Sequence, residues 1–174
     1  MKIITKTLLL TIILIFFPLK SFAHVEHYEK VEKFLMEIFK DGKKIGFNNY
    51  TFSRNDQNLE IDNKTEFNVS ILGLNAFSIK GASKEVYKNN KLVSFKSDTI
   101  QNKKKKFVDL YLNESKESYF IKGSSYTGKI GLDIVIGSWW NHKIIQSEKN
   151  ISPISGSINK QTINFIKKEK INLY

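Results

Sequence analysis

The chain has 174 residues, about the length of one ordinary domain, with 28 basic against 17 acidic side chains and a formal charge of +11. It contains no cysteine, which excludes disulfide staples, thiolate catalysis and Cys-ligated zinc and leaves a hydrophobic core as the source of stability. The surplus charge favours anionic partners, although Lys, Asn and Ile are abundant throughout and a drift towards AT-rich codons gives the same balance.

Met1 to Lys6 carry two lysines and no acid, and "TLLLTIILIFF" then runs apolar from Thr7 to Phe17. Pro18 breaks the run, and Ser21 and Ala23 end it with small residues. This is the three-part grammar of a secretory signal peptide, and the run is short of the ~20 residues of a spanning helix. The expectation is a signal helix over residues 1–23, cut after Ala23, with an uncleaved anchor as the alternative. Removing it leaves 25 basic and 17 acidic residues, a formal +8. With no Cys near the cut, a lipoprotein anchor is excluded. Export to the periplasm of a Gram-negative bacterium is the expected destination, which argues against nucleic acid as a partner.

Residues 24–33, "HVEHYEKVEK", form a polar lead-in. If His24 becomes the first residue, its amine, its ring and the ring of His27 offer three nitrogens to copper, zinc or nickel. The plainer reading is a frayed terminus with two accidental histidines.

From Phe34 the pattern is period two with closely spaced turn signals, as in an antiparallel β-domain, and residues 34–174 are expected to form one such domain. The first strand is "KFLMEIFK", 33–40, followed by "DGKK", whose Asp-Gly pair suits a tight hairpin. The second is 45–53, turned by "RNDQ". In the third, "LEIDNKTEFNVSI", Leu59, Ile61, Thr65, Phe67, Val69 and Ile71 share one side and Glu60, Asp62, Lys64, Glu66, Asn68 and Ser70 the other. One face is buried and one is wet. Further strands are read at 76–88, 92–100, 106–113 and 118–123. The expected fold is therefore all-β: a single curved antiparallel meander sheet, either a half-barrel or an open small barrel of lipoprotein-carrier-like or lipocalin-like type.

After Gly123 the pattern changes. "SSYTGK" reads as a loop and "IGLDIVI", 130–136, as a strand or an extended apolar segment. "GSWWNHKIIQ", 137–146, reads as a short helix with Ser138 as its N-cap. The remainder returns to short strands around a turn at 155–159.

The densest charge run, Lys103, Lys104, Lys105 and Lys106, sits at a hairpin tip. It reads as a solvated tip that discourages edge pairing or as a contact with an anionic membrane surface. The chain holds both of its tryptophans at Trp139 and Trp140, followed by Asn141 and His142. One indole plugging the core and one at the rim is the plain reading. The functional one makes Trp139 and Trp140 the cap of a ligand mouth, with Asn141 and His142 as its rim polar groups. A hydrolase would have to use His142, but no Gly-x-Ser-x-Gly turn exposes a nucleophile. No glycine-rich phosphate loop or other cofactor motif is present.

"FKDGKKIGFNNYTF", then "VSILGLNAFSIKGASKEVYKNNKLVSFKS", then "SWWN" and "SGSINKQ", in this order over about Phe34 to Lys160, resemble a bacterial exported family, domain of unknown function 6134. The resemblance implies an all-β periplasmic protein, distantly similar to another uncharacterised envelope family and to lipoprotein-carrier-like half-barrels. It brings no catalytic residue. It also implies a further hairpin beyond the position of Tyr174, and hence a C-terminally truncated chain. Three functions are carried forward. The first is an exported, non-catalytic envelope protein that binds a lipid, another apolar or amphiphilic ligand, or a partner protein. The second is a hydrolase using His142, and the third a periplasmic metal binder using His24 and His27.

Overall fold

The computed structural model describes residues 30–115, 117–164 and 166–167. The expected signal helix over 1–23, His24, His27 and the last residues of the chain lie outside them. Eight strands form one antiparallel sheet in sequence order: β1 Lys33–Lys40, β2 Lys43–Asn55, β3 Asn58–Ile71, β4 Leu74–Lys88, β5 Lys91–Gln101, β6 Lys104–Leu112, β7 Tyr119–Gly123 and β8 Thr127–Ile130. The expected all-β meander is present as an open sheet, with β1 and β8 at its edges.

Local turn chemistry sets the register. Five connections are two-residue tips whose first residue takes a left-handed φ: Asp41 50°, Asp56 48°, Leu72 51°, Asn89 50° and Asn102 48°. Tips of this hand match the right-handed twist of the strands they join. Asp and Asn tolerate the conformation because their short polar side chains bond to nearby backbone.

Register then carries one buried row across the sheet. Phe52 lies opposite Ile61, Ile61 opposite Glu85, Glu85 opposite Phe95, Phe95 opposite Leu110, and Leu110 opposite Ile121. Every member is buried. Each apolar side chain so buried stabilises the fold by about 1.5–3 kcal/mol. The alternation expected in β3 holds from Leu59 to Val69, whereas Ile71 is 57% exposed.

Past β8 the chain returns over this inner face. It forms β9 Val135–Ile136, a short 3-10 helix His142–Gln146, β10 Lys149–Ile151 and β11 Ile158–Lys160. Ile136, Trp140 and Ile151 are buried there and complete the core. The Ser97 hydroxyl ties the segment down by donating to the Pro153 carbonyl at 2.5 Å. Gly156, at φ 75°, lets the backbone approach that of Gly123, which a Cβ would meet at 3.2 Å.

Four expectations are corrected. The sheet is not the only one: β11, β10 and β9 make a second, with β9 and β10 parallel. Residues 127–129, expected in a loop, pair with β7 together with Ile130. The extended segment expected over 130–136 is interrupted: Ile130 ends β8, residues 131–134 are irregular, and strand resumes at Val135–Ile136. The helix begins at His142 rather than after Ser138, and its N-cap is Asn141, whose side chain accepts from the Lys143 amide. The Ser138 side chain turns into the core instead, where its hydroxyl donates to a buried acceptor.

Candidate functional site

That partner is Glu85. The carboxylate is the one charged member of the buried row, and its residue is 2% exposed. Oε1 accepts from the Ser138 hydroxyl and from the Trp140 indole N–H at 3.0 Å, while Oε2 accepts from the Tyr87 hydroxyl at 2.7 Å. A buried carboxylate is tolerable only when donors replace its lost water, and here three do. Burial pushes the Glu85 carboxyl above its ordinary range; the bonds from Ser138, Trp140 and Tyr87 pull the other way and do not cancel it. Burial, and then the charge of Glu85, push the Tyr87 hydroxyl well up, so it remains a proton donor.

The indole of Trp140 stands edge-on between Phe52 and Tyr87, with ring centroids 5.7 and 5.8 Å away. The Asn141 amide reaches the Tyr87 hydroxyl at 3.5 Å. One step back, the Trp139 backbone N–H donates to the Tyr50 hydroxyl at 3.2 Å, which also accepts from Asn48. The stretch 138–141 is thus clamped to β2 and β4 by every residue in it.

Beside the clamp lies a cleft of about 390 Å³ between the inner face and residues 132–136. Leu92, Leu112, Leu132 and Ile134 supply apolar walls, and Tyr119 and Asn141 polar ones. Lys91, Asp133 and Lys143 line it as well. The Tyr119 hydroxyl is bound to the Leu92 carbonyl at 3.0 Å, which fixes that wall.

The structure separates the expected ligand-mouth residues. Trp140 is a core residue at 1% exposure, and Trp139 is 77% exposed. Asn141, expected at the rim, is buried because it caps the 3-10 helix and contacts Tyr87; it nonetheless forms part of the cleft wall. His142 is exposed on the first turn of the 3-10 helix. The nearest serine in sequence, Ser138, gives its proton to a buried carboxylate rather than to an imidazole. Among the described residues no group of three His, Cys, Asp or Glu side chains is placed to hold a metal ion, and no helix is long and apolar enough to cross a membrane.

Glu85 is the residue that sequence reasoning missed. A signal for it existed. Along β4, Glu85 falls on the same alternation as Ile79 and Tyr87, both buried, so a charge there needed partners.

A family model for the domain of unknown function (DUF6134) matches residues 36–174. No curated protein and no solved structure matches the chain.

Proposed function

We propose that this chain, which belongs to the family of the domain of unknown function (DUF6134), is a non-catalytic protein of the bacterial cell envelope. In this reading it takes an amphiphilic ligand into the cleft beneath residues 132–136. The observation that carries the reading is the cleft itself. Its volume of about 390 Å³ falls in the range of small-molecule sites, which are mostly apolar with a few placed polar groups. An acyl chain would lie along Leu92, Leu112 and Ile134, and an anionic head would meet Lys91 and Lys143. The signal-like grammar of residues 1–23 supports export to the periplasm. The commitment of the Ser138 hydroxyl to Glu85 supports a binding role over a hydrolytic one, since the hydroxyl serves packing.

The test is native mass spectrometry of the chain after incubation with palmitate and with lysophosphatidylglycerol. Wild type should retain one molecule of either probe. Leu132→Trp, at a half-exposed wall position, should retain none while melting as wild type does. Absence of any retained probe on wild type would sink the proposal.

A further inference from the structure

The two ends of the meander differ. Because each strand reverses the last, the tips at residues 41–42, 72–73 and 102–103 share one end of the sheet, opposite the Trp140 clamp. At this end the β3–β4 hairpin separates from its neighbours. Pairing with β2 stops at Phe67 and pairing with β5 stops at Ile79. Beyond those residues the hairpin is a two-stranded ribbon about 13 Å long, at ~3.3 Å per residue, beside the separate β1–β2 ribbon that ends at the 41–42 tip.

The ribbon has two unlike faces. Cross-strand partners share a face, and the pairs Val69–Phe77 and Ile71–Leu74 are apolar while Asn68–Ser78 and Ser70–Asn75 are polar. Its apolar end is bare: Ile71 is 57% exposed, Leu74 75% and Leu72 98%. Leu72 also breaks the rule of the other tips. At the four equivalent first positions stand Asp41, Asp56, Asn89 and Asn102, residues suited to a left-handed φ. A leucine there is neither favoured by the turn nor used by the core.

Lysines flank the ribbon on both sides. Residues 40–44 carry Lys40, Lys43 and Lys44 against a single acid, Asp41, and residues 102–106 carry Lys103 to Lys106 against none. Lys40 pairs with Asp41 and Lys44 with Glu37, whereas Lys103 to Lys106 make no ion pair among the described residues. The second lysine tip is fixed to the ribbon base, since the Asn102 N–H donates to the Ser78 carbonyl at 3.0 Å and the Ser78 N–H to the Asn102 side chain at 2.7 Å.

We propose that this end of the sheet docks on an anionic lipid bilayer, with Leu72 and Leu74 entering the boundary between headgroups and acyl chains and the two lysine tips resting on the headgroups. Apolar side chains set among cations are what such a boundary selects. A lysine near an anionic surface strengthens binding by about fivefold. A second copy of the chain fits less well, because it would bring the same lysines against these.

The absence of cysteine allows a clean test. Leu72→Cys and, at the opposite end, Asn90→Cys are each labelled with a polarity-sensitive fluorophore in the full chain. Each is mixed with vesicles of phosphatidylcholine alone or with a third phosphatidylglycerol. The label at 72 should move to an apolar environment on anionic vesicles only, and the label at 90 should not. Adding Leu74→Asn with Lys103→Glu and Lys105→Glu should weaken the response at 72 by at least tenfold, as should 0.5 M salt. An unchanged label at 72 on vesicle-bound protein would mean that another segment holds the membrane, which overturns the proposal. A response at 72 that grows with protein concentration without vesicles would assign the ribbon to self-association and overturn it as well.

Discussion

Replacing Trp140 with Phe isolates the contribution of one indole N–H. The substitution keeps an aromatic ring between Phe52 and Tyr87 but removes the donor 3.0 Å from the Glu85 carboxylate. A hydrogen bond to a charged group contributes about 1.5–3 kcal/mol. The lost part of a fully buried indole leaves a void that adds about 1 kcal/mol. The expected cost is about 2–4 kcal/mol, read as a lowered urea midpoint at unchanged slope, or as a melting point lowered by roughly 5–15 °C. Far-UV circular dichroism is the suitable signal, because the substitution removes the buried fluorophore.

The cost should also depend on pH, with a definite sign. Glu85 has a folded-state pKa raised above its unfolded value, so the folded state favours the protonated carboxyl. The resulting stabilisation is complete below the unfolded pKa and is lost as pH rises through the folded one. Removing the indole donor raises the folded pKa further. Trp140→Phe should therefore cost least in acid, more as pH rises through the titration of Glu85, and a constant amount above it. A cost under 1 kcal/mol that is equal on both sides would refute the account of the clamp.

Three further predictions use the same geometry. Trp139→Phe, at an exposed position, should change stability by no more than about 0.5 kcal/mol and should remove the acrylamide-quenchable part of the fluorescence. Glu85→Gln should flatten the pH dependence of stability above about pH 4.5, the ordinary value for the carboxyl, because the group that titrates is gone; an unaltered profile would assign that dependence to other groups. Gly46→Ala places a Cβ 2.1 Å from the Glu66 carbonyl oxygen and 2.3 Å from the Phe67 Cβ. It should disrupt β2–β3 pairing at that end and cost at least about 3 kcal/mol in chemical denaturation.

The long strands were legible because their determinants are local. Alternation and two-residue tips such as Asp41–Gly42 and Asn89–Asn90 place the ends of β1 to β7 within about two residues of where period and turn chemistry put them. β8 was not legible. "TGKI" is too short to show alternation, and only the neighbouring β7 makes it a strand. At Ser138 the local rule failed for a different reason. Serine before a short amphipathic run is a good helix N-cap, but Glu85, 53 positions earlier, holds the Ser138 side chain in the core, and the helix starts at His142 behind Asn141. The same cause hid the nature of the tryptophan pair. Adjacency promised one buried and one exposed indole, and long-range partners decided that Trp140 would be the buried one.

Residues 131–161 hold to the sheet through distant ties, among them Ser138 and Trp140 to Glu85, Trp139 to Tyr50 and Ser97 to Pro153. The meander beneath is built from pairs adjacent in sequence. The two layers therefore differ in the cost and timing of their formation. Hairpin zipping closes short loops, whereas the ties to Glu85, Tyr50 and Pro153 each close a loop of more than 50 residues. Loop entropy predicts that the overlay assembles after the meander and opens before it. In amide exchange it should behave as one cooperative unit of lower protection than β3–β6, and each such opening would uncover the cleft, so ligand entry and the breathing of this layer would share one rate.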